Sequence, residues 1–279
     1  MKKAQFDVHA ELEERHWWFT GRRKICTALV RRLLPPGPTQ GAHGDSRAAS
    51  TGTGHCVPRK VVLDAGCGTG GNIAALSGDY SCMGMDPAPE AIALARKRFP
   101  LVRFEQGRVP EDLVPLAPSV DLFLFMDVLE HVPDDTALLE PVVAAARPGS
   151  HFLITVPADM KLWSSHDVSF GHFRRYDRLL LEKAWSGLPV TPVMVSYYNH
   201  RLYPLALFAR SLSRLRGKTW GEAGTDFTLP APPVNRLLES IFSGETDRLM
   251  DLMEKRRTAG YSSGVSLIAI LRREPSHAR

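Results

Sequence analysis

"KVVLDAGCGTGGN", residues 60–72, is the stretch that decides the fold of this chain of 279 residues. A short apolar run ends in Asp64 and passes into a turn with glycines at positions 66, 68 and 71, where a helical pattern begins. A strand, a glycine-rich turn and a helix in this order are typical of the first unit of a parallel α/β sheet. A tight turn that binds nothing could have the same glycines, so the surrounding sequence has to decide between the two interpretations.

The segments that follow alternate between apolar strands and helical patterns. The strand candidates are "YSCMGMD" (80–86), "LVRFEQG" (101–107), "SVDLFLFMDVLEHV" (119–132) and "HFLITVP" (151–157). Between them, "PAPEAIALARKRF" (87–99) and "DDTALLEPVVAAARPG" (134–149) predict helices. This alternation predicts a doubly wound, Rossmann-like α/β sheet with ligands at the carboxyl ends of its strands. Two later runs, "PVTPVMVSYY" (189–198) and "GVSLIAILRRE" (264–274), predict two more strands.

Changes in composition divide the chain into four parts. Residues 1–34 predict N-terminal helices that serve as a cap segment, because Ile25, Leu29 and Leu33 recur at helical spacing. Residues 35–59, rich in Pro, Gly, Ser and Thr, predict a disordered linker. The sheet domain is expected to comprise residues 60–198 and 263–274. Residues 199–262 are too many for an ordinary connection and predict a helical cap or substrate-binding insertion.

Charge and cysteine content exclude several classes of protein. The formal net charge is +5 and the isoelectric point about 9.1, which suits an anionic partner without requiring nucleic acid. The four cysteines lack the spacing of a zinc site or a disulfide framework, which favours the reducing cytoplasm. The N-terminus has no apolar core of a signal peptide, and no apolar run approaches the ~20 residues of a membrane-spanning helix.

Two carboxylates frame the glycine-rich turn. Asp64 ends the first strand just before the glycines, where it can face a ligand cation; a pyrophosphate would be repelled there. Asp86 ends the second strand, where an acid can accept hydrogen bonds from both hydroxyls of a ribose. The turn therefore predicts a nucleoside ligand with a cationic group rather than a dinucleotide.

"VVLDAGCGTG", "GMD" and "DVLEHV" together resemble the class I S-adenosylmethionine-dependent methyltransferases, over roughly residues 60–157. The resemblance implies a seven-stranded sheet whose last strand, about residues 265–272, is antiparallel, and the cofactor S-adenosyl-L-methionine with the product S-adenosyl-L-homocysteine. It also implies positions for each contact: the 66–70 turn under the methionine part, Asp64 near the ammonium, Asp86 at the ribose and Asp127 at the methionine end. The full predicted cofactor set is Asp64, Gly66, Cys67, Gly68, Gly70, Met85, Asp86, Pro87, Arg108, Val109 and Asp127.

The adenine end departs from the family pattern. An acid often follows the glycine after the third strand, where it accepts from the adenine amino group, but this chain has Arg108 in "EQGRVPEDL". Arginine has no acceptor atom. Either Glu111, Asp112 or a backbone carbonyl takes over that contact.

The segment after the fourth strand bears on the type of methyl transfer. "MDVLEHV" lacks the Asn/Asp-Pro-Pro-aromatic run of many methylases of adenine or amide nitrogen, and it resembles the small-molecule enzymes. The candidate general bases are His131, His172 and His166. For each of the three histidines, the alternative is a local role in which it only orders its own loop. A metal site from His166, Asp167 and His172 would have an unrecognised spacing, so we predict no metal.

"HWWFTGRR" (16–23) concentrates aromatic and basic residues near the N-terminus. Packing on the sheet edge, contact with a membrane interface and a lid over the pocket all fit this pattern, whereas no RNA-binding module accompanies it. With "GHFRRYD" and "NHRLYPLALFAR", the segment resembles a bacterial subgroup of class I methyltransferases that accompanies glycan, lipid-linked or secondary-metabolite pathways. We favour a hinged lid, and predict substrate contacts from Trp17, Trp18, Arg22, Arg175, Tyr176 and Tyr198.

The sequence thus predicts a cytoplasmic methyltransferase that acts on a small molecule, more readily at oxygen than at nitrogen or carbon. Peripheral contact with the inner membrane is an open alternative, and no nucleic-acid partner is expected. A cofactor-binding protein without catalysis and an NAD-dependent oxidoreductase are the rival classes. The sequence leaves the acceptor and the oligomeric state undetermined.

Overall fold

A seven-stranded mixed sheet forms the centre of the protein in the computed structural model, which describes residues 3–37, 58–216 and 228–275. The strand order is β3-β2-β1-β4-β5-β7-β6. Strands β1 to β5 run parallel, while β7 lies antiparallel between β5 and β6. The sheet and its antiparallel last strand are therefore as predicted. The strands are β1 (Val61–Ala65), β2 (Ser81–Asp86), β3 (Arg103–Gln106), β4 (Leu122–Met126), β5 (His151–Pro157), β6 (Val190–Tyr198) and β7 (Ser266–Arg273).

Helices cover both faces of the sheet and its carboxyl edge. Because strand order reverses between β1 and β4, the crevice at their carboxyl ends is the expected ligand site. The helices are α1 (Lys3–Arg15), α2 (Trp17–Leu33), α3 (Gly71–Ala74), α4 (Pro89–Arg98), α5 (Asp135–Ala145), α6 (Ser165–Ser169), α7 (Arg178–Lys183), α8 (Tyr203–Arg216), α9 (Pro232–Ser243) and α10 (Thr246–Met253).

Side-chain alternation along β4 divides the core between the two faces. Phe123 and Phe125 lie in the cluster beneath α5, and Phe123 stacks on Phe152 of β5 with ring centroids 4.8 Å apart. Leu124 and its even-numbered neighbours face the other cluster, where Leu29 of α2 is fully buried. This two-residue period explains why the whole strand is apolar: it is buried on both faces.

The N-terminal helices and the insertion pack on each other beside the second face. Phe242 of α9 is fully buried, and its ring lies so close to Gly21 of α2 that a β-carbon at that position would overlap it. Within the insertion, α9 and α10 are separate helices, because the chain turns at Gly244 after α9. Most of the predicted linker, residues 38–57, and residues 217–227 of the insertion lie outside the described residues.

None of the helices among the described residues combines the length and the apolar character needed to cross a membrane.

Candidate active site

The glycine-rich turn is held in a left-handed path by its own backbone. Gly66, Gly68 and Gly70 have φ values of 74°, 52° and 86°, which other residues adopt at a cost. The amides of Gly66 and Cys67 donate to the carbonyl of Met85 at 2.8 and 2.9 Å, which ties the turn to the end of β2. A β-carbon on Gly68 would meet no atom within 4 Å, so the turn faces open space at this point.

Asp86 connects the turn to the start of the next helix. Its Oδ2 accepts from the Gly68 amide and its Oδ1 from the Ala88 amide, both at 2.9 Å. Burial raises the pKa of Asp86, and these two backbone donors act in the opposite direction. Each carboxylate oxygen keeps a further lone pair for a ribose hydroxyl. Pro87, the next residue, is exposed.

Asp64 is a buried carboxyl group without a hydrogen-bond partner. It is 1% exposed, and neither side-chain oxygen has a donor within bonding distance. Burial raises the pKa of Asp64 to about 8, although the Arg22 guanidinium opposes this rise. Burying an unpaired carboxyl group is costly. A ligand cation at this position would remove that cost.

Arg22 enters the site from α2. It is 4% exposed, forms an ion pair with Asp127, and leaves its Nε without a hydrogen-bond partner. Its guanidinium lies 4.3 Å from the ring centroid of Trp18, a cation–π contact. Asp127 has a positive φ of 58° directly after β4 and also accepts from the Thr155 hydroxyl at 3.1 Å. Arg22 is therefore buried inside the site, and its contact with a substrate stays a prediction.

Trp17 and Trp18 point to different surroundings. The amide of Trp17 donates to Asn235 at 2.9 Å, and its ring meets Phe242 edge-on at 6.1 Å. Trp17 thus packs against α9, which is a structural position. Trp18, in contrast, lies on Arg22.

Glu13 is a site residue that the sequence did not reveal. Its carboxylate accepts from the Thr69 hydroxyl and from Nη1 of Arg98, both at 2.7 Å. It lies against the glycine-rich turn so closely that a side chain at Gly71 would overlap it. Helix α1 therefore contacts the cofactor turn through a buried ion pair. Nothing in the local pattern of α1 distinguishes Glu13 from Glu11 or Glu14.

The loop after β3 supplies an acid near the predicted adenine end. The Arg108 amide donates to Oδ2 of Asp112 at 2.7 Å, and the Arg108 side chain is exposed. Met85 is 2% exposed, and its sulfur lies against Gly107. Val109 is half-buried and packs on the core. Asp112, one of the predicted alternatives, is thus fixed in the loop that carries Arg108.

The three candidate histidines lie together beyond the end of β4. The ring centroids of His131 and His172 are 4.7 Å apart with a T-shaped geometry, and those of His166 and His172 are 6.3 Å apart. Glu130 adds a carboxyl group that sequence reasoning passed over. It is 1% exposed with both oxygens unpartnered, and burial raises its pKa to about 8.

Asp167 holds this loop in place. It accepts from Nδ1 of His172 at 3.0 Å, from Nε of Arg175 at 2.8 Å and from the Ser164 amide at 2.8 Å. Although burial alone would raise the pKa of Asp167, the hydrogen bonds of His172 and Arg175 keep it well below its usual range. Arg175 also donates to the Ala158 carbonyl.

Three predicted substrate contacts lie behind the site surface. Arg175 is committed to Asp167, as described above. Tyr176 is fully buried and its hydroxyl donates to Asp135 at 2.9 Å. Tyr198 is also fully buried, with its ring centroid 5.7 Å from that of Phe242. Arg175 is 6% exposed and the two tyrosines are fully buried, and their contact with a substrate stays a prediction.

The turn and its two carboxylates fit one kind of ligand. Asp64 has two unpartnered oxygens for an ammonium group, and Asp86 faces the open space at Gly68 where a ribose would lie. A class I S-adenosylmethionine-dependent methyltransferase site is defined by this arrangement on a seven-stranded sheet with an antiparallel last strand.

A family model described as "Methyltransferase domain" matches residues 18–201 of this chain. The chain belongs to this family, and its cofactor is S-adenosyl-L-methionine. The match begins within α2 and ends after β6, so it includes the glycine-rich turn and the histidine loop.

Curated relatives are similar to part of the chain. A trans-aconitate 2-methyltransferase of Deinococcus radiodurans is 34% identical over 106 residues, 37% of this chain and 40% of that protein. A ubiquinone biosynthesis O-methyltransferase of Cronobacter sakazakii is 30% identical over 110 residues, 37% of this chain and 45% of that protein. The chain spans less than half the length of these curated relatives.

A solved structure supports the fold over a longer range. A SAM-dependent methyltransferase from Archaeoglobus fulgidus superposes with a TM-score of 0.50, covering 90% of this chain and 94% of that one at 15% identity. At this level of identity the likeness concerns the fold alone.

Proposed function

We propose that this protein transfers a methyl group from S-adenosyl-L-methionine to an oxygen atom of a small-molecule acceptor. The observation that carries the proposal is the cluster of Glu130, His131 and His172. Glu130 and His131 follow Asp127 on the loop after β4, and His172 comes from the loop after β5. Arg22, the partner of Asp127, acts electrostatically on both Asp64 and Glu130, so polar side chains for an acceptor adjoin the proposed cofactor site. The relatives named above, one of them an O-methyltransferase, act on small molecules and support the acceptor class.

The transfer itself needs positioning more than covalent chemistry from the protein. The cofactor supplies a sulfonium methyl group. An acceptor oxygen forms the new carbon–oxygen bond while the carbon–sulfur bond breaks and its electron pair returns to sulfur. A hydroxyl acceptor also loses its proton, which the imidazoles of His131, His172 or His166 can accept or share. Correct orientation can contribute on the order of 7–11 kcal/mol in good intramolecular models.

Residues of the N-terminal helices are proposed to cover the cofactor. Glu13 contacts the glycine-rich turn, while Trp18 and Arg22 adjoin the methionine end. Their side chains exclude water from the reacting groups, and α1 has to move for the cofactor to enter. Trp17 then supports this cap through α9 instead of touching the acceptor.

Acceptor screening tests the proposal. The purified chain is incubated with methyl-labelled S-adenosyl-L-methionine and small carboxylic acids, including trans-aconitate, or phenols. We expect labelled O-methyl product and S-adenosyl-L-homocysteine in equal amounts. Label on nitrogen or carbon would instead favour the alternative acceptor atoms. Cofactor binding without turnover of any acceptor would favour a cofactor-binding regulatory protein.

Variants then assign the histidines once an acceptor is found. At saturating cofactor, His172→Asn or His131→Asn should lower turnover more than about tenfold, because either loss removes a group from the acceptor site. His151→Asn, at the amino end of β5 and remote from the crevice, is the matched control. If neither site variant differs from that control, positioning alone accounts for the rate.

We further propose that α8 touches an anionic membrane surface, which suits a lipid-linked acceptor in a glycan or natural-product pathway of the bacterial subgroup. Leu205 and Phe208 are 54% and 67% exposed on this helix. Residues 201–218 contain five basic residues and no acid. A helix with exposed apolar side chains in a basic stretch of sequence binds anionic headgroups and buries its apolar side chains at the interface.

Vesicle sedimentation tests this contact. The protein should sediment with phosphatidylglycerol vesicles but not with phosphatidylcholine vesicles, and Phe208→Ser should reduce the bound fraction. Leu101→Ser is the matched control, because Leu101 is 98% exposed at the far side of the sheet. Equal binding of both vesicle types, or equal loss in both variants, would contradict the proposal.

A further inference from the structure

We propose that Glu130, His131 and His172 bind a divalent cation of the zinc class. One ligand atom from each residue lies within 4.8 Å of the other two. The sequence predicts no metal, because the only candidate spacing there, in "HDVSFGH", has no known precedent. The ligand set brought together by the fold is different: it takes Glu130 and His131 from the loop after β4 and His172 from the loop after β5.

Glu130 provides the first reason for a cation. Its side chain is 1% exposed, and neither carboxyl oxygen has a hydrogen-bond partner. A buried carboxyl group is normally paired with a charge or coordinates a metal. Its backbone carbonyl accepts from the Phe173 amide at 2.8 Å, which joins the two ligand loops without satisfying the side chain.

The second reason is the orientation of His172. Its Nδ1 is 3.0 Å from Oδ1 of Asp167, so Asp167 can fix the ring and leave Nε2 as the free nitrogen. Histidine ligands of metal ions commonly hold a carboxylate through the other ring nitrogen in this way. Asp167 is itself held by Arg175, and is therefore an outer partner and not a ligand.

The distances between the ligand atoms imply that the three side chains move closer together when a metal ion binds. Zinc–ligand bonds of about 2.0–2.1 Å require donor atoms roughly 3.4 Å apart in a tetrahedron, so donor atoms that lie up to 4.8 Å apart must approach one another by up to about 1.4 Å. His131 is the most exposed of the three ligands, and its ring packs edge-on against that of His172. Three protein ligands leave a fourth position open, which is typical of catalytic zinc sites.

The open position gives the cation a function, and this part of the inference rests on the proposed methyl transfer. A hydroxyl or carboxylate oxygen of the acceptor would occupy it. A divalent cation lowers the pKa of a hydroxyl that it ligates. Because His131 and His172 would then be ligands, the proton would pass to His166 or to water instead. The acceptor class is then an alcohol, phenol or carboxylate able to ligate a metal.

Metal titration tests the site without any acceptor. The full chain is dialysed against a chelator, and Zn²⁺ alone is added in a calorimeter. We expect one Zn²⁺ per chain, and Co²⁺ should give the visible absorption of a four-coordinate nitrogen–oxygen site. Glu130→Gln and His172→Asn should each weaken binding more than about tenfold, and Asp167→Asn by about 10–100-fold. His166→Asn should bind as the unmodified chain does.

Several outcomes would overturn the site. These are no stoichiometric Zn²⁺ binding, unchanged affinity in both Glu130→Gln and His172→Asn, or an equal loss in His166→Asn. Circular dichroism checks that each variant is folded. If a variant is unfolded, the Co²⁺ spectrum of the unmodified chain shows whether the metal site exists. Titration of S-adenosyl-L-methionine into the same samples separates this result from the proposed function: a chain that binds cofactor but no metal refutes only the cation.

Discussion

Cofactor binding at pH 7 should release nearly one proton from Asp64. The unpartnered carboxyl group has a pKa of about 8 in the free protein, because burial disfavours its charge. At pH 7 the group is then one unit below its pKa, so about nine molecules in ten carry the proton. The cofactor ammonium favours the carboxylate, as an opposite charge within a few ångströms does. The ionisation therefore accompanies binding, and about 0.9 proton leaves.

Calorimetry in buffers of different ionisation enthalpy measures this proton directly. The slope of the binding enthalpy against the buffer enthalpy should give about 0.9 proton released for the unmodified chain. Asp64→Asn should release none and bind more weakly. Asp79→Asn, which removes a carboxylate paired with Arg31 outside the crevice, should behave as the unmodified chain. A slope near zero in the unmodified chain, or the same slope in Asp64→Asn, would refute the reasoning.

Three further predictions concern the same elements. Asp86→Ala should weaken cofactor binding at least about tenfold and lower the free energy of unfolding by about 1–3 kcal/mol, because two amides lose their acceptor. Calorimetry measures the affinity and urea unfolding measures the stability, and an unchanged affinity would exclude the ribose role. Trp17→Ala should lower the free energy of unfolding by about 2–3 kcal/mol while the cofactor Kd changes little, since Trp17 packs on Phe242. A large change in Kd with little change in the free energy of unfolding would instead indicate that Trp17 lines the pocket. The pKa of Asp64 is raised on folding from 3.8 to about 8, so its contribution to stability is present below pH 4 and is lost as the pH rises through 8. Urea unfolding of the free protein should show that loss as a slope of about 1.4 kcal/mol per pH unit between these values, and Asp64→Asn should lack it.

The sheet could be predicted because its signals are local. The glycines of residues 66–70 have φ values that few other residues adopt, and the run of residues 122–126 is buried on both faces. Asp64 and Asp86 could be predicted from the first two strands, since Asp86 is the last residue of β2 and Asp64 the last but one of β1. Position along a parallel strand thus carries most of the information about the cofactor site.

The remaining site residues depend on contacts that sequence spacing does not encode. Glu13 meets Thr69 across 56 positions, and Arg22 meets Asp127 across 105. In the sequence, Glu130 looks like an acidic residue near the start of a helix. Its burial depends on the loop after β5, whose Phe173 amide donates to the Glu130 carbonyl. The positions of these residues depend on how α1, α2 and the two loops pack against the sheet. The order of the elements along the chain does not determine that packing.

The central claim is that the glycine-rich turn and its two carboxylates bind S-adenosyl-L-methionine. Calorimetric titration of the purified chain with S-adenosyl-L-methionine and, separately, with NAD⁺ tests it most directly. We expect one bound S-adenosyl-L-methionine per chain and no detectable binding of NAD⁺. Binding of NAD⁺ without binding of S-adenosyl-L-methionine would contradict it.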